Sequence, residues 1–422
     1  MKKSSISKIL SLLLAVAMIA TLLVGCGDKD AADDSAANTN TNTSTSSENT
    51  ESSETTASAT IKVGAIYINS QSDTSGYTYA HHNGITTALK NLGISEDNLY
   101  IVDNVPEDYT EVTNAIDQLA GYGCKIIFGI SFGYIDAFTD AAAKEEYSDI
   151  IFSHATGYMS NDTNYNNYFG RIYQARYLAG IAAGLKSLET GNNEIGYVSA
   201  FGTEYAETCS GINGFTLGVQ SVNPNATVHV KKINCWGDES LEKSAAELLI
   251  NTYGCGVIAQ HCDSAQPQLA AMAAGVYGCG YNSDMAEQAP TSHLTAPIWN
   301  WYVYYQLAIE TAMNDPANYM SIVGNYYGGL AEGFVDISPL TENCAANTSE
   351  YIEQVRALIV NGDWDVFSGV KLTFEADGNV VMSDGALVTN DGTVIVEAGG
   401  ASVEDGVITG SMNYYVEGVV EE

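Results

Sequence analysis

The feature that most restricts the fold of this chain is a regular alternation of short apolar runs with longer helical segments, beginning at Ile61. Short apolar runs bounded by turn formers are typical of buried parallel strands. The predicted strands lie at 61–68, 99–102, 125–130, 149–153, 194–199, 227–233, 257–260 and 276–281. The predicted helices between them lie at 109–120, 134–144, 175–188, 204–219, 241–251 and 266–274. This alternation indicates parallel sheets built from βαβ units, and its two successive sets indicate two similar α/β lobes.

A polar loop, Asn69 to Gly76, follows the first predicted strand and precedes a helix. In open α/β sheets, ligands bind just beyond the carboxyl ends of the strands. The loop and the start of its helix offer a carboxylate, Asp73, and two aromatic side chains, Tyr77 and Tyr79. We therefore predict a binding edge here; the alternative is a solvated surface loop.

Other predicted strands also end in aromatic or hydrogen-bonding residues. These are Ser131 and Phe132; His154 and Thr156; Phe201; Trp236; His261, Asp263 and Ser264; and Ser283 and Asp284. Trp236 lies in a Cys-Trp-Gly-Asp turn, which is an unusual place for a core residue. Aromatic faces combined with a few fixed donors and acceptors suit a small, flat ligand with polar edges, held between two lobes.

The N-terminus has the features of an export signal. Three lysines flank an apolar stretch from Ile9 to Gly25, and Leu23-Val24-Gly25-Cys26 has the pattern of a bacterial lipobox. We predict a lipoprotein signal peptide at 1–25 and acylation of Cys26; plain secretion is the alternative. Residues 26–60 contain almost no large apolar side chains, so a disordered tether is predicted.

The chain is strongly acidic. Its net charge is −35, and removal of three lysines with residues 1–25 gives −35 − 3 = −38. Such a charge excludes nucleic acid as a partner and disfavours docking on anionic lipid, since both need basic patches. Of the eight cysteines, acylation of Cys26 leaves seven, so at least one is free or paired between chains. Cys255, Cys262 and Cys279 fall near predicted strands, where small buried residues are expected.

The sequence contains one pattern typical of a hydrolase and one group of possible metal ligands. Gly129-Ile130-Ser131-Phe132-Gly133 matches the G-x-S-x-G nucleophile elbow between a strand and a helix, which keeps a serine hydrolase as an alternative. No oxyanion-hole segment precedes it, so a turn at the cleft is the preferred interpretation. His81, His82, His154 and His261 with Asp263 lack metal-ligand spacing, so no metal and no cofactor are expected.

The last part of the chain has a different character. A strand-like run at 293–298 and a Trp- and Tyr-rich helix at 299–313 are followed, from Asn325 onward, by predicted short β segments. Asp377-Gly378, Asp384-Gly385 and Asp391-Gly392 each predict a hairpin turn.

With these residues in view, the chain resembles the basic membrane protein family from about Ile61 to the C-terminus. The resemblance rests on Asp73-Thr74-Ser75-Gly76-Tyr77, Tyr177-Leu178-Ala179-Gly180-Ile181-Ala182-Ala183, Gly218-Val219-Gln220-Ser221-Val222-Asn223-Pro224, Gly275-Val276-Tyr277, Asn282-Ser283-Asp284-Met285 and Tyr415-Val416-Glu417-Gly418-Val419. Members of this family look like solute-binding lipoproteins of ABC importers for purine nucleosides.

The resemblance implies a two-lobed periplasmic-binding-protein type I fold of the α/β class, with two parallel doubly wound sheets, a hinge and an interlobe cleft. Residues 61–165 and about 294–325 would form lobe 1, and residues 166–293 and about 326–422 would form lobe 2. The implied partners are a permease and an ATPase, the implied location is the extracytoplasmic face of the cell membrane, and we expect a monomer. A membrane-tethered ligand sensor of the same fold is the alternative.

The motifs depart from those of the nucleoside binders. The Asn of their first loop is missing, and the first of two Asp residues in their ribose loop is Asn282 here, which leaves Asp284. His154-Ala155-Thr156-Gly157-Tyr158 is more similar to a subgroup in which a free purine base is a plausible ligand. The expected ligand-binding residues are Asp73, Tyr77, Tyr79, Ser131, Phe132, His154, Trp236, Asp263, Ser264 and Asp284.

Overall fold

The computed structural model describes residues 60–422. Its strands are β1 (Val63–Tyr67), β2 (Leu99–Val102), β3 (Ile126–Ile130), β4 (Ile151–Ala155), β5 (Tyr165–Gly170), β6 (Glu194–Ser199), β7 (Thr227–Lys232), β8 (Val257–His261), β9 (Tyr277–Cys279), β10 (His293–Thr295), β11 (Pro297–Trp299), β12 (Tyr326–Gly328), β13 (Val335–Ile337), β14 (Val370–Phe374), β15 (Val380–Asp384), β16 (Leu387–Val388), β17 (Val394–Val396) and β18 (Val419–Glu421). Its α-helices are α1 (Gly76–Asn91), α2 (Tyr109–Gly121), α3 (Ile135–Ala142), α4 (Ile172–Thr190), α5 (Ala206–Val222), α6 (Glu239–Tyr253), α7 (Gln266–Ala274), α8 (Trp301–Asn314), α9 (Tyr319–Ile322), α10 (Thr348–Val360) and α11 (Asp405–Gly410).

Two parallel six-stranded sheets form the frame of the molecule, as the alternating pattern predicted. The first has the order β12-β5-β4-β3-β1-β2 and the second the order β10-β9-β8-β6-β7-β18. Every residue of β1, β3, β4 and β8 is buried, because helices cover both faces of a parallel sheet. With the faces of the sheet covered, the loops at the carboxyl ends of these strands are where a ligand is expected.

The chain passes between the two sheets three times, which makes a hinge. It leaves the first sheet after β5, returns through β11 into α8, and leaves again between β12 and β13. β11 and β13 pair antiparallel, so two of the crossings are joined by hydrogen bonds. β5 and β12 extend the first sheet past residues 165 and 325, near which the sequence analysis divides the lobes; the lobe boundaries themselves stay a prediction.

Helices α4 and α5 pack at backbone distance in the second lobe. A Cβ atom added at Gly180 would overlap the carbonyl oxygen of Phe215, and one added at Gly218 would overlap the carbonyl oxygen of Tyr177. Both glycines are buried, and neither has room for a side chain. This close approach holds the helix pair that supports β6 and β8, the strands whose ends reach the cleft.

The C-terminal third contradicts the sequence prediction in two places. The region after Asn325, predicted as short β segments, contains the helix α10, which buries Ile352, Val355 and Ile359 on one face. Asp377-Gly378 and Asp391-Gly392 do form the turns of the β14–β15 and β16–β17 hairpins. The hairpin predicted at Asp384-Gly385 is wrong, because β15 and β16 belong to different sheets.

Within residues 60–422, no helix is both long enough and apolar enough to cross a membrane. The predicted signal peptide and Cys26 lie outside the described residues. The seven cysteines of the described part are free, and Cys255, Cys262 and Cys279 are buried as expected.

Candidate functional site

The site lies where the loop after β1 meets the loop after β8. At this contact Gly76 has a φ of +82°, and a Cβ atom on it would stand 2.8 Å from the carbonyl oxygen of Asp263. A side chain at this position would be strained and would push the two loops apart. Glycine therefore lets the two lobes touch beside the cleft.

A cavity of about 430 Å³ opens beside this contact and is lined by both lobes. Residues 69–77 of the first lobe, among them Asp73 and Tyr77, form one wall; residues of the segments 237–242 and 263–264 form the other. Asp73 is partly buried, and burial, followed by the charge of Asp103, raises its pKa. Loops from two separate sheets thus converge on one small polar space, as the strand-end argument predicted.

A larger cavity of about 940 Å³ lies elsewhere, between α4, α10 and the β14–β15 hairpin. Its wall includes an ion pair in which Arg171 Nη2 lies 2.6 Å from an Asp405 oxygen. None of the predicted ligand-binding residues lines it, and polar groups at its wall bind one another. We therefore place the candidate site at the smaller cavity.

Asp263 is the carboxylate at the centre of the contact. Burial, together with the neighbouring charges of Glu242 and Glu207, raises its pKa to about 8. Asn282 donates a hydrogen bond to it at 3.1 Å, and Asn282 adopts a φ of +66° to do so. Near neutral pH the group is largely protonated, so it can both donate and accept a hydrogen bond.

Tyr77 brings a free hydroxyl to the cleft from the first lobe. Its ring packs edge-on against His81 at 4.3 Å, and His81 is itself held by Trp301 and Tyr305. The hydroxyl is buried and has no hydrogen-bond partner among residues 60–422. Burial and the charge of Glu207 raise its pKa well above the usual value, so it remains a neutral donor.

An aromatic cluster from the second lobe stands at the same strand ends. The ring of Trp236 lies 5.2 Å from Phe201 and 6.1 Å from His261, and Phe201 packs on Tyr205 at 4.4 Å. Trp236 is only partly buried and Tyr205 is 42% exposed. The cluster therefore retains open ring surface on which a planar ligand can stack.

Two polar residues near the candidate site, Arg176 and Glu207, were not indicated by the sequence, whereas His261 was named at the end of a strand but not among the expected ligand-binding residues. Arg176 donates through Nη1 to Tyr197 and Gln260 and lies 4.1 Å above the ring of Tyr281. The sequence signal for Arg176 is a lone charge in the otherwise uncharged first part of α4. Glu207 gives no such signal, because acids are common in the first turn of a helix.

Ser131 and His154 interact with each other and with Glu107. The Ser131 hydroxyl donates to a Glu107 oxygen at 2.5 Å, and the Gly133 amide donates to the same oxygen at 2.8 Å. Burial lowers the pKa of His154 to about 4, so its ring is neutral and Nε2 donates to the Ser131 carbonyl at 2.7 Å. His154 binds the Ser131 backbone carbonyl and not its hydroxyl, so the hydrogen bond between serine and histidine that a hydrolase needs is not formed at this G-x-S-x-G pattern.

The other predicted residues have separate environments. Phe132 is 47% exposed near Tyr158, and Tyr79 is partly buried on α1. Ser264 lines the cavity, with its hydroxyl donating to Glu242 at 2.6 Å. Asp284 accepts from the Ala286 amide at 2.9 Å and lies 3.5 Å from His293. Their roles in ligand binding stay predictions.

The histidines considered for a metal site are spread over different contacts. Across the described residues 60–422, no three His, Cys, Asp or Glu side chains are grouped so as to hold a metal ion. His81 binds Tyr305, and His154 binds Ser131.

Comparison with known proteins now identifies the family. Residues 61–366 match the Bmp family, described as "ABC transporter substrate-binding protein PnrA-like". A Brucella abortus purine-binding protein, BAB2_0673, is 34% identical over 74% of this chain and 85% of its own. TsgA13 of Haloferax volcanii, whose assigned role is that of an ABC transporter glucose-binding protein, is 34% identical over 75% of this chain and 77% of its own.

The solved structures agree on the fold. An ABC transporter solute-binding protein from Aeropyrum pernix K1 superposes with a TM-score of 0.59, at 16% identity, over 75% of this chain and 94% of its own. The two-lobed periplasmic-binding-protein fold predicted from the sequence is confirmed, and so is the predicted family. The chain belongs to the Bmp family of ABC transporter substrate-binding proteins: it is an extracytoplasmic binding protein that works with a permease, and not an enzyme.

Proposed function

We propose that the protein captures a purine nucleoside or a free purine base in the interlobe cleft and delivers it to the permease of an importer. The observation that supports this most is the pairing of open aromatic surface at Trp236 with unpaired polar groups from both lobes, Tyr77 and Arg176. A purine offers a large flat face for stacking and donors and acceptors along its edges. Both halves of the cleft then bind one ligand, which closes the lobes around it.

A purine suits this cleft better than a sugar. Asp263 is largely protonated near neutral pH, so one group both donates and accepts, as the alternating edge of a purine requires. The purine-binding relative from Brucella abortus supports this choice, whereas the glucose-binding role assigned to the Haloferax volcanii relative supports a sugar. The aromatic cluster and the neutral acid favour the purine.

Within the purines we favour a free base such as adenine. Asp284, the residue expected to accept from ribose hydroxyls, already accepts from the Ala286 amide and faces His293. Asn282 replaces the other acid of the ribose loop and binds Asp263. Both observations leave few free acceptors for the ribose hydroxyls. Asp73 and Asp263 remain beside the cavity, where they can bind an amine or a ring N–H.

The replacement Trp236→Ala is expected to weaken adenine binding by about tenfold to a hundredfold, since stacking contributes about 1–3 kcal/mol per base. Calorimetric titration measures the change. Trp236 is only partly buried, so the melting temperature of the empty protein should move little. The control is Tyr109→Ala, which removes an aromatic ring, 51% exposed, from α2. Equal adenine affinity in wild type and Trp236→Ala would contradict a stacking role for this residue.

We also propose the anchoring predicted from the sequence. Acylated Cys26 would hold the protein at the extracytoplasmic face of the cell membrane, and residues 26–60 would form the tether. A coil of about 34 residues spans ~30 Å on average, which leaves the binding domain free to reach its permease. The protein would act as a monomer, with lobes divided as the sequence analysis places them.

A further inference from the structure

The Glu207 carboxylate lies beside the cleft, near enough to Tyr77 and Asp263 for its charge to raise the pKa of both groups. It lies in the first turn of α5, and its side chain is 22% exposed. Nε2 of His261 lies 3.5 Å from a Glu207 oxygen, and among residues 60–422 no side chain donates a hydrogen bond to this carboxylate. The carboxylate is therefore partly open to the cleft and is free to accept a hydrogen bond from a ligand.

Buried polar groups without hydrogen-bond partners lie near it. Nε and Nη2 of Arg176, the hydroxyl of Tyr77 and both ring nitrogens of His261, one of which is a donor in the neutral ring, have no partner among the described residues. Arg176 is 1% exposed and His261 0% exposed. A buried polar group without a hydrogen-bond partner destabilises the empty protein. A ligand that presents acceptors to these donors and one donor to Glu207 would satisfy the whole cluster.

The titratable groups near Glu207 lie on several different helices and strands. Arg176 on α4 is the cation, and burial and Arg176 keep the pKa of His261 on β8 well below its usual value, so His261 is neutral. Tyr77, Tyr197, Tyr281 and Tyr327 have pKa values raised by burial and stay neutral. Asp263 is the remaining acid near Glu207, and the charge of Glu207 contributes to the raised pKa of Asp263.

We propose that Glu207 is the residue that selects the hydrogen-bonding edge of the ligand, because its partly open carboxylate accepts an N–H of the bound heterocycle. A Glu207 side chain that is protonated in the empty cleft then loses its proton on binding. This inference rests on the proposed purine ligand. The proton leaves the Glu207 carboxyl for solvent, the ligand keeps its own N–H, and the new bond is a charge-assisted hydrogen bond. Arg176 forms no ion pair among residues 60–422, and its positive charge stabilises the carboxylate that results.

In the empty cleft the pKa of Glu207 lies near neutral pH. Burial, opposed by Arg176, raises the pKa of Glu207 to about 7. A ligand that needs the carboxylate therefore binds better as the pH rises through this value and reaches a plateau above it. From pH 6 to pH 8 the ionised fraction rises from about one tenth to about nine tenths, so the affinity for adenine should increase about tenfold.

The test uses the full protein and adenine as the probe. Calorimetric titrations at pH 6 and pH 8, and at pH 7 in two buffers of different ionisation enthalpy, give the affinity and the number of protons released. About half a proton should be released at pH 7, where Glu207 is half ionised. Glu207→Gln should bind adenine more weakly at pH 8 and should lose the tenfold dependence. The control Glu204→Gln changes an acid that pairs with Lys232, and it should keep the dependence.

Other outcomes overturn the inference in distinct ways. Tighter binding at pH 6 than at pH 8 would show a protonated acid that donates to the ligand. If the pH dependence of adenine affinity remained in Glu207→Gln but disappeared in Asp263→Asn, the group that releases the proton would be Asp263. Adenine binding that does not change with pH would refute the inference and leave the proposed function standing, whereas no binding of any purine would refute the proposed function itself. If Glu207→Gln does not fold, the wild-type proton count still decides.

Discussion

Replacing Gly218 by alanine is expected to destabilise the protein by about 3 kcal/mol, although alanine is the better helix former. The reason is the contact between α4 and α5, where the added methyl group would overlap the carbonyl oxygen of Tyr177. That atom belongs to a helix backbone, so it can give way only if the two helices separate. Thermal and urea unfolding of the purified variant measure the loss.

The matched control is Gly121→Ala, the same substitution at the last residue of α2. No atom lies within 4 Å of the position a Cβ would take there, so stability should be unchanged or slightly higher. If Gly218→Ala melted like wild type, α4 and α5 would not pack at backbone distance. The packing of α4 and α5, the helices that bring Arg176 and Glu207 to the cleft, would then be described wrongly.

The second large effect concerns Cys26. The variant Cys26→Ser should lose its membrane fraction almost completely and should lack the mass of the acyl chains. Each buried methylene contributes about 0.8 kcal/mol to membrane anchoring, so removal of several chains leaves no comparable attachment. Fractionation of cells and intact-mass spectrometry measure the two consequences. The control Cys235→Ser changes a partly exposed cysteine of the binding domain and should remain in the membrane fraction. A Cys26→Ser protein with wild-type partitioning and mass would refute the anchor.

The sequence predicts the alternating frame well because the strands of parallel sheets are short, apolar and wholly buried. β2, β6 and α7 have the predicted bounds, and most other elements differ by a few residues at their ends. β5 was missed because it contains Asn166, a polar residue buried through hydrogen bonds to Tyr304 and Gly324. Its partners lie more than a hundred residues away, so nothing local in the sequence indicates a strand.

The helix α10 was missed for a different reason. Its spacing of Ile352, Val355 and Ile359 is a helical pattern, but the Asp-Gly turns nearby favoured an all-β interpretation of the whole region. Two of those three turns are real hairpins. A local turn signal therefore does not determine what the preceding segment forms.

The candidate site was predicted in part. The loop with Asp73 and Tyr77, the Trp236 turn and Asp263 all come to the cleft, since strand ends in parallel sheets share one edge. Arg176 lies on α4 and Glu207 lies on α5. The distance between them depends on how these two helices cross, and no local sequence pattern determines that crossing. Ser131 also lies at a strand end, but its hydroxyl is used by Glu107 from a loop 24 residues earlier.

The central claim is that the cleft holds a purine, and one calorimetric comparison tests it most directly. Adenine, adenosine, guanosine, glucose and ribose are titrated separately into the purified protein, after denaturation and refolding to remove any ligand carried from the cell. We expect a purine to bind at least a hundredfold more tightly than either sugar, a difference of about 2.7 kcal/mol, with adenine equal to or tighter than adenosine. Tight binding of glucose with no binding of any purine would contradict the account, while the fold and the family would stand.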